Sequence, residues 1–215
     1  MSELQGYNIY MKTGTMWLQI PRTLFIDRKD AGEKLASRLA HYRDSEAILL
    51  AIPRGGVEVA TPLSQALSLP LDLIVVRKLP IPWNPEMGMG AITADGSMIL
   101  DEPSIHGLGI TPIQLEKIAE GVRQEIERRR LKYRGNKPAP RLDGKTIILV
   151  DDGLATGYTM LAAIKSVKNQ NAGKIVVAVP VASINAAYKV ESEVNEFVTL
   201  AIADMPSFAV ADYYQ

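Results

Sequence analysis

Apolar positions along this chain follow two rhythms. Short, nearly unbroken apolar runs occur at Ala47–Ile52, Leu71–Val76, Thr146–Val150, Lys174–Ala182 and Glu196–Ala203. Runs of that length read as strands buried on both faces. Between them, apolar residues recur at helical spacing: Ala31, Leu35, Leu39 and Tyr42; the stretch from Val57 to Leu67; Leu115, Ile118, Ala119, Val122 and Ile126; Met160, Leu161, Ile164 and Val167; and Ile184 to Val194. Strands alternating with helices predict an α/β fold, a mostly parallel central sheet with helices on both faces.

Local signals place the helix ends. Asp27 or Asp30 caps the first helix. Thr111-Pro112 opens a long one, with proline near its first position. Asp95-Gly96 is a turn pair between Ala91–Thr93 and Ser97–Leu100, which predicts a hairpin. Three prolines and two glycines break Leu79–Gly90, which reads as a long loop without regular structure. Asp101–Ile110 also reads as irregular. Pro180 predicts that pairing fades near the end of its strand. Thr15–Ile20 reads as a short strand or an ordered arm. Asp204–Gln215 reads as a loop near the sheet edge, with no final helix, as in a sequence cut short. Phe208 in it is a core residue or a stacking one.

Composition narrows the classes. The 215 residues are 47% hydrophobic, enough for one domain with a substantial core. Formal net charge is zero, so no global basic field recruits nucleic acid. The basic run Arg128–Arg134 falls in the last turns of the long helix, where cations are favoured and Glu125 and Glu127 lie close. There is no cysteine, which excludes disulfides and thiolate metal sites and fits an intracellular, cytoplasmic protein. His106 has no second histidine near it for a metal. No apolar run is long enough to span a membrane, and Met1–Tyr10 lacks the basic and apolar regions of a secretory signal.

The chemistry concentrates after the run Thr146–Val150. Two carboxylates, Asp151 and Asp152, follow the strand, then a loop of small residues, Gly153-Leu154-Ala155-Thr156-Gly157, then a helix. In open α/β sheets ligands sit outside the carboxyl ends of the strands. Small residues let backbone approach a ligand, helix N-terminal amides favour an anion, and Thr156 and Thr159 offer hydroxyls. Two carboxylates before an anion cradle suit a ligand carrying both phosphate and hydroxyls, or one accompanied by a divalent cation. A phosphorylated sugar meets both demands. The P-loop is excluded because Tyr158, not lysine, follows Gly157. The dinucleotide fingerprint is excluded because Gly153 and Gly157 are four apart.

The stretch Val150–Thr159 resembles the phosphoribosyl-pyrophosphate signature of the type I phosphoribosyltransferases: an apolar strand, two acidic residues, two variable residues, a small or acidic residue, Thr-Gly, then Thr or Ser. The resemblance covers about residues 27–204. It implies a single domain over 1–215 with a mobile loop at 77–90 and a helical insertion or hood at about 111–134. Gly153, Ala155, Thr156, Gly157, Tyr158 and Thr159 would bind the sugar phosphate, with Asp151 and Asp152 as the catalytic pair. Arg54, Gly55 and Gly56, which alone read more readily as a helix-entry turn with a solvated arginine, match the position of the family's pyrophosphate loop. Arg77 and Lys78 are a solvated pair or, as the family often has, a basic contact to pyrophosphate. Glu86 is a solvated loop carboxylate or an aid to proton transfer.

The implied reaction moves 5-phosphoribosyl from phosphoribosyl pyrophosphate to a nitrogenous base, purine or related, releasing pyrophosphate. Mg²⁺ is expected, held mainly through the substrate and with no dedicated protein ligands. A homodimer is expected, with no membrane and no nucleic-acid partner. One departure stands out: Ala155 occupies the position of an acidic residue in hypoxanthine-guanine members, as it does in adenine-type members. Two other readings remain, a non-catalytic sensor of phosphoribosyl pyrophosphate or a nucleotide, and a nucleic-acid-binding regulator using the 128–134 cations.

Overall fold

The computed structural model describes residues 9–12, 15–18, 23–205 and 207–215, without the side chains of 9–12, 15–18 and 85–87. Two strands, β1 (Ile9–Lys12) and β2 (Thr15–Leu18), form an antiparallel pair. Helix α1 (Arg28–Arg38) follows, capped by Asp27, whose carboxylate accepts the Asp30 amide, and a short 3₁₀ turn Ala40–Tyr42 extends it. Then come β3 (Ile48–Ala51), α2 (Gly55–Leu67) and β4 (Leu71–Leu73). Strands β5 (Val76–Ile81), β6 (Asn84–Thr93) and β7 (Met98–Leu100) precede α3 (Glu102–Gly107) and α4 (Pro112–Arg134). The last third is β8 (Thr146–Val150), α5 (Tyr158–Asn169), β9 (Lys174–Ser183), α6 (Ile184–Glu191), β10 (Glu196–Ala203) and a 3₁₀ turn Val210–Tyr213.

The main sheet is parallel throughout, in the order β10-β9-β8-β3-β4. Strand parity divides its side chains between two cores. Ile147, Leu149, Val177 and Leu50 face α5 and α6 through Met160, Ile164, Val167, Ala186 and Val190. Ile148, Val150, Val176 and Leu49 face α1 and α2 through Leu35, Leu39, Val59 and Leu63. The chain winds from β3 to β4 on one side and from β8 through β9 to β10 on the other. The order therefore reverses between β3 and β8, the adjacent central strands, and such a reversal is where open α/β sheets form their ligand crevice.

A second sheet, β5-β6-β7, is antiparallel. Its far face packs α3 and α4 through Leu79, Ile81, Met89, Ile92, Ile105, Ala119 and Ile126. The hairpin around Asp95-Gly96 forms with Ala91 opposite Ile99, and Gly96 at φ 84°. Thr111 caps α4 in a reciprocal box with Gln114.

Several expectations are corrected. Leu79–Gly90 is not an irregular loop: it lies in the β5–β6 hairpin. Pro80 is accommodated because β5 is an edge strand and its register shifts on both sides of that residue. Gly90 belongs in the strand because a Cβ there would lie 2.3 Å from the Ile99 carbonyl oxygen. Asp101–Ile110 contains α3, whose N-terminus Asp101 caps. The run Leu71–Val76 is split, with Leu71–Leu73 in the main sheet and Val76 already in the second. Strand β9 also continues past Pro180. The ladder with β10 goes from Val179–Thr199 to Val181–Ala201 and runs on to Ser183, although pairing with β8 stops at Ala178.

Helices α1 and α2 meet at Gly32, where a Cβ would lie 2.2 Å from the Val59 carbonyl oxygen and 2.6 Å from Pro62 Cγ. Both are backbone or ring atoms that cannot swing aside. We expect Gly32→Ala to destabilise the fold by about 1–3 kcal/mol, the usual range for overpacking. Urea unfolding monitored by circular dichroism would measure it as a lower midpoint.

Candidate active site

Strands β3 and β8 end side by side, and their loops touch. The Ile52 amide donates to the Val150 carbonyl at 2.9 Å, and the Gly56 amide to the Ile52 carbonyl at 3.1 Å. At Gly55 a Cβ would lie 2.1 Å from Asp152 Oδ2, and at Gly56 2.6 Å from the Val150 carbonyl oxygen. Only glycine permits this approach. The peptide bond between Pro53 and Arg54 is cis.

The second loop is pinned from the other side. Leu154 bridges to β9, its amide donating to the Val181 carbonyl while its carbonyl accepts the Ser183 amide. The Ser183 hydroxyl donates to the Ala155 carbonyl at 2.6 Å and accepts the Ala186 amide as the cap of α6. A Cβ at Gly153 would meet Val210 Cγ1 at 2.8 Å. Gly157, at φ 82°, turns the chain into α5.

Helix caps separate the two loop-borne helices from the rest. Asp27, Asp101, Thr111 and Ser183 cap α1, α3, α4 and α6 with their side chains. Helices α2 and α5 start at Arg54 and Gly157 with no side-chain cap. These two helices follow β3 and β8, at the crevice; the first amides of α5 are left to another acceptor, whereas in α2 the Gly56 and Val57 amides already donate to the Ile52 and Arg54 carbonyls, which leaves that of Gly55.

A cleft of about 640 Å³ opens between the two sheets. Arg54, Gly55, Arg77, Lys78, Asp151, Asp152 and Thr159 line it, together with Gly121, Val122 and Glu125 of α4. Gly56 lies just behind, against Asp151. The loop residues Ala155 and Thr156 are exposed and outside this lining. Tyr158 points away from it: its ring lies under the Lys189 ammonium at 4.8 Å, and its hydroxyl bonds Asp101. Strand alternation sends Arg77 and Lys78 to opposite sides of β5. Arg77 meets the field of Arg129 and Glu125, and burial and Arg129 lower its pKa. Lys78 instead opposes the charge of Asp151. The side chain of Glu86 lies outside the described residues.

The two carboxyls are not equivalent. Burial pushes Asp151 well above the usual carboxylate range, and the adjacent negative charge of Asp152 adds to that. The Asp152 amide, donating to Asp151 Oδ1 at 2.9 Å, and Lys78 work the other way. Asp152 is engaged by Arg28 of α1, whose Nε lies 2.8 Å and Nη2 2.7 Å from its Oδ2. Its carbonyl accepts the Tyr214 hydroxyl at 2.6 Å. Arg28 and Tyr214 escaped the sequence reading. Neither belongs to a motif, and each is brought to Asp152 by long-range pairing.

The arginines of the basic run on α4 are paired. Arg128 and Arg129 pair with Glu125, Arg130 with Glu127, and Arg134 with Asp72. The two arginines bring Glu125 down to about 2. Phe208 packs on Tyr213 at the edge of a small apolar cluster. Among the described residues no group of three or more metal-ligand side chains occurs, and no helix is long and apolar enough to cross a membrane.

The profile of the phosphoribosyl transferase domain matches residues 26–214. The chain belongs to the phosphoribosyl transferase family. A Mycobacterium tuberculosis protein named "Putative phosphoribosyl transferase Rv0571c" is 36% identical over 192 residues. That alignment takes in 89% of this chain but only 43% of the relative, so the chain spans less than half the relative's length. The crystal structure of TT1426 from Thermus thermophilus is 35% identical, with a TM-score of 0.72, covering 89% of this chain and 90% of that one. A hypoxanthine phosphoribosyltransferase from Staphylococcus aureus, 13% identical with a TM-score of 0.51 over 86% of this chain and 79% of its own, shares the fold.

The raised Asp151 carboxyl has a consequence for stability. A folded-state pKa above the unfolded one means the folded protein gains from protonation. That gain is fully present below the unfolded pKa and is lost as pH rises through the folded value. At neutral pH the carboxylate is therefore a liability. We expect Asp151→Asn to raise Tm at pH 7, by about 2–4 °C for each kcal/mol of repulsion removed, and to lose that advantage in acid. Thermal unfolding of both proteins across pH checks it.

Proposed function

We propose that this protein transfers the 5-phosphoribosyl group of phosphoribosyl pyrophosphate to a nitrogenous base and releases pyrophosphate. The observation that carries the proposal is the meeting of two uncapped helix N-termini across the Asp151–Asp152 pair, at the reversal point of the sheet. One cradle suits the 5′-phosphate, the other the pyrophosphate, and the carboxylates between them suit the ribose hydroxyls.

The residues divide the work accordingly. First-turn amides of α5, with the Thr156 and Thr159 hydroxyls, bind the 5′-phosphate. The Gly55 amide, the Arg54 guanidinium and the Lys78 ammonium bind pyrophosphate and stabilise the charge it carries as it leaves. Asp151 and Asp152 accept hydrogen bonds from the ribose hydroxyls. Their negative field favours the positive charge that develops on the sugar as its bond to pyrophosphate breaks. An interaction that strengthens only as that charge appears raises the rate itself.

Mg²⁺ fits this donor set in a limited way. Among the described residues no third ligand-type group joins the two adjacent carboxylates to complete a cage; Glu125, which also lines the cleft, is paired with Arg128 and Arg129. The ion would thus be held chiefly by substrate phosphates and water, touching Asp151 or Asp152. When bound it neutralises phosphate charge. The β5–β6 hairpin borders the cleft through Lys78 and Pro80, where it limits water. Ala155 leaves no carboxylate at its position to take a proton from the base, in keeping with an adenine-like acceptor.

The test is pyrophosphate release from phosphoribosyl pyrophosphate with Mg²⁺ and a panel of adenine, guanine, hypoxanthine, xanthine, uracil and orotate. Release that requires one of these bases is expected, and Asp152→Asn should lower it by about 10²–10³-fold. If no base elicits release while phosphoribosyl pyrophosphate still binds, the transfer reading fails and a sensing role replaces it.

A further inference from the structure

Asp152 is held from three directions by segments far apart in sequence. Arg28, at the first turn of α1, places two nitrogens on the single oxygen Oδ2. Gly55, at the start of α2, is packed directly against that carboxylate and leaves no room for a side chain beside it. Tyr214 donates its hydroxyl to the Asp152 carbonyl, and its ring carries the Arg28 guanidinium at 5.0 Å from the centroid. Arg28 and Tyr214 are themselves seated by backbone. The Leu24 and Phe25 amides donate to the Tyr213 carbonyl, and the Gln215 amide donates to Phe25, so the start of α1 and the last residues form one short parallel bridge.

We propose that Arg28, seated on Tyr214, is the positioning residue of the site: it fixes the Asp152 carboxylate by Oδ2 so that the pair meets the ribose hydroxyls in one orientation. The proposal rests on the phosphoribosyl reading above and goes beyond it. Arg28 does not line the cleft among the described residues, so it acts through Asp152 rather than on substrate. Its side chain is 32% exposed and that of Asp152 19%, so the pair is sheltered and its orientation is not averaged by solvent. A planar guanidinium with two nitrogens on one oxygen sets direction in a way a point charge does not. The charges around the pair are accounted for. Glu58 and Tyr214 face Arg28, while Asp151 faces Asp152. Lys78 faces Asp151. Arg54 lines the same cleft.

The experiment separates the two halves of the site. Binding of ribose 5-phosphate and of inorganic pyrophosphate, each with Mg²⁺, is measured by calorimetry for the wild type, Arg28→Ala, Arg28→Lys and Tyr214→Phe, with thermal unfolding as a check that each is folded. Arg28→Ala should weaken ribose 5-phosphate by about 10–100-fold, the scale of a misplaced site group, and weaken pyrophosphate clearly less, since Arg28 reaches that cradle only through the contact of Asp152 with Gly55. Arg28→Lys should recover part of the loss, and Tyr214→Phe should show a smaller loss with the same ligand preference. Equal weakening of both ligands makes Arg28 a structural residue only and overturns the proposal, as does unchanged ribose 5-phosphate binding in Arg28→Ala. Wild-type protein that binds neither ligand overturns the phosphoribosyl reading itself and the proposal with it.

Discussion

The contact between the β3 and β8 loops governs this molecule. Two strand ends meet so closely that Gly55 and Gly56 carry hydrogens where any other residue would place a carbon into Asp152 or the Val150 carbonyl. That proximity sets Arg54 and the start of α2 directly beside the carboxylate pair at the cleft. It also forces two carboxyls into a partly desolvated corner, and that burial, with the charge of its neighbour, raises Asp151 above the usual carboxylate range. The rest of the fold compensates for this strain on charge. Arg28 comes from one end of the family match, Lys78 from the second sheet, and a network of loop bonds from β9 keeps the backbone still.

The division into two sheets explains how the cleft acquires a second wall. The main sheet has its strand ends on one side only. The chain leaves it after Leu73 and builds an antiparallel sheet backed by α4, which returns Lys78, Pro80, Gly121 and Glu125 to the same space. Helix α4 is tied back to the main sheet through Arg134, which bonds both Asp72 and the Leu73 carbonyl. A run of arginines that suggests a nucleic-acid surface in one dimension is mostly a set of intrahelical pairs and one tether between sheets.

Much of this was legible in the residues. Thr146–Val150 and Glu196–Ala203 are strands at the expected bounds, because unbroken apolar runs between turn signals have few other solutions. The strand–carboxylates–loop–helix unit announced its own position in the sheet. Proline and glycine misled at Leu79–Gly90, because they also serve an edge strand with shifted register and a close backbone crossing. Helix α3 was hidden by its six-residue length, too short for a periodic stripe. Arg28 and Tyr214 could not be found from spacing. Their proximity to Asp152 arises from pairing between residues near 24 and residues near 213, and local pattern carries no information about that.

Strand β8 serves two cores and the site with five residues. Ile147 and Leu149 belong to one core, Ile148 and Val150 to the other, and the next two positions are the carboxylates. Loss or gain of a single residue there would exchange the two cores and turn Asp151 and Asp152 away from the cleft together. Packing and chemistry thus share one reading frame. A register shift in this strand would therefore disturb both at once, and the residues just before Thr146 hold that register, since Gly144 and Lys145 are bonded to Asn171 and Gly173.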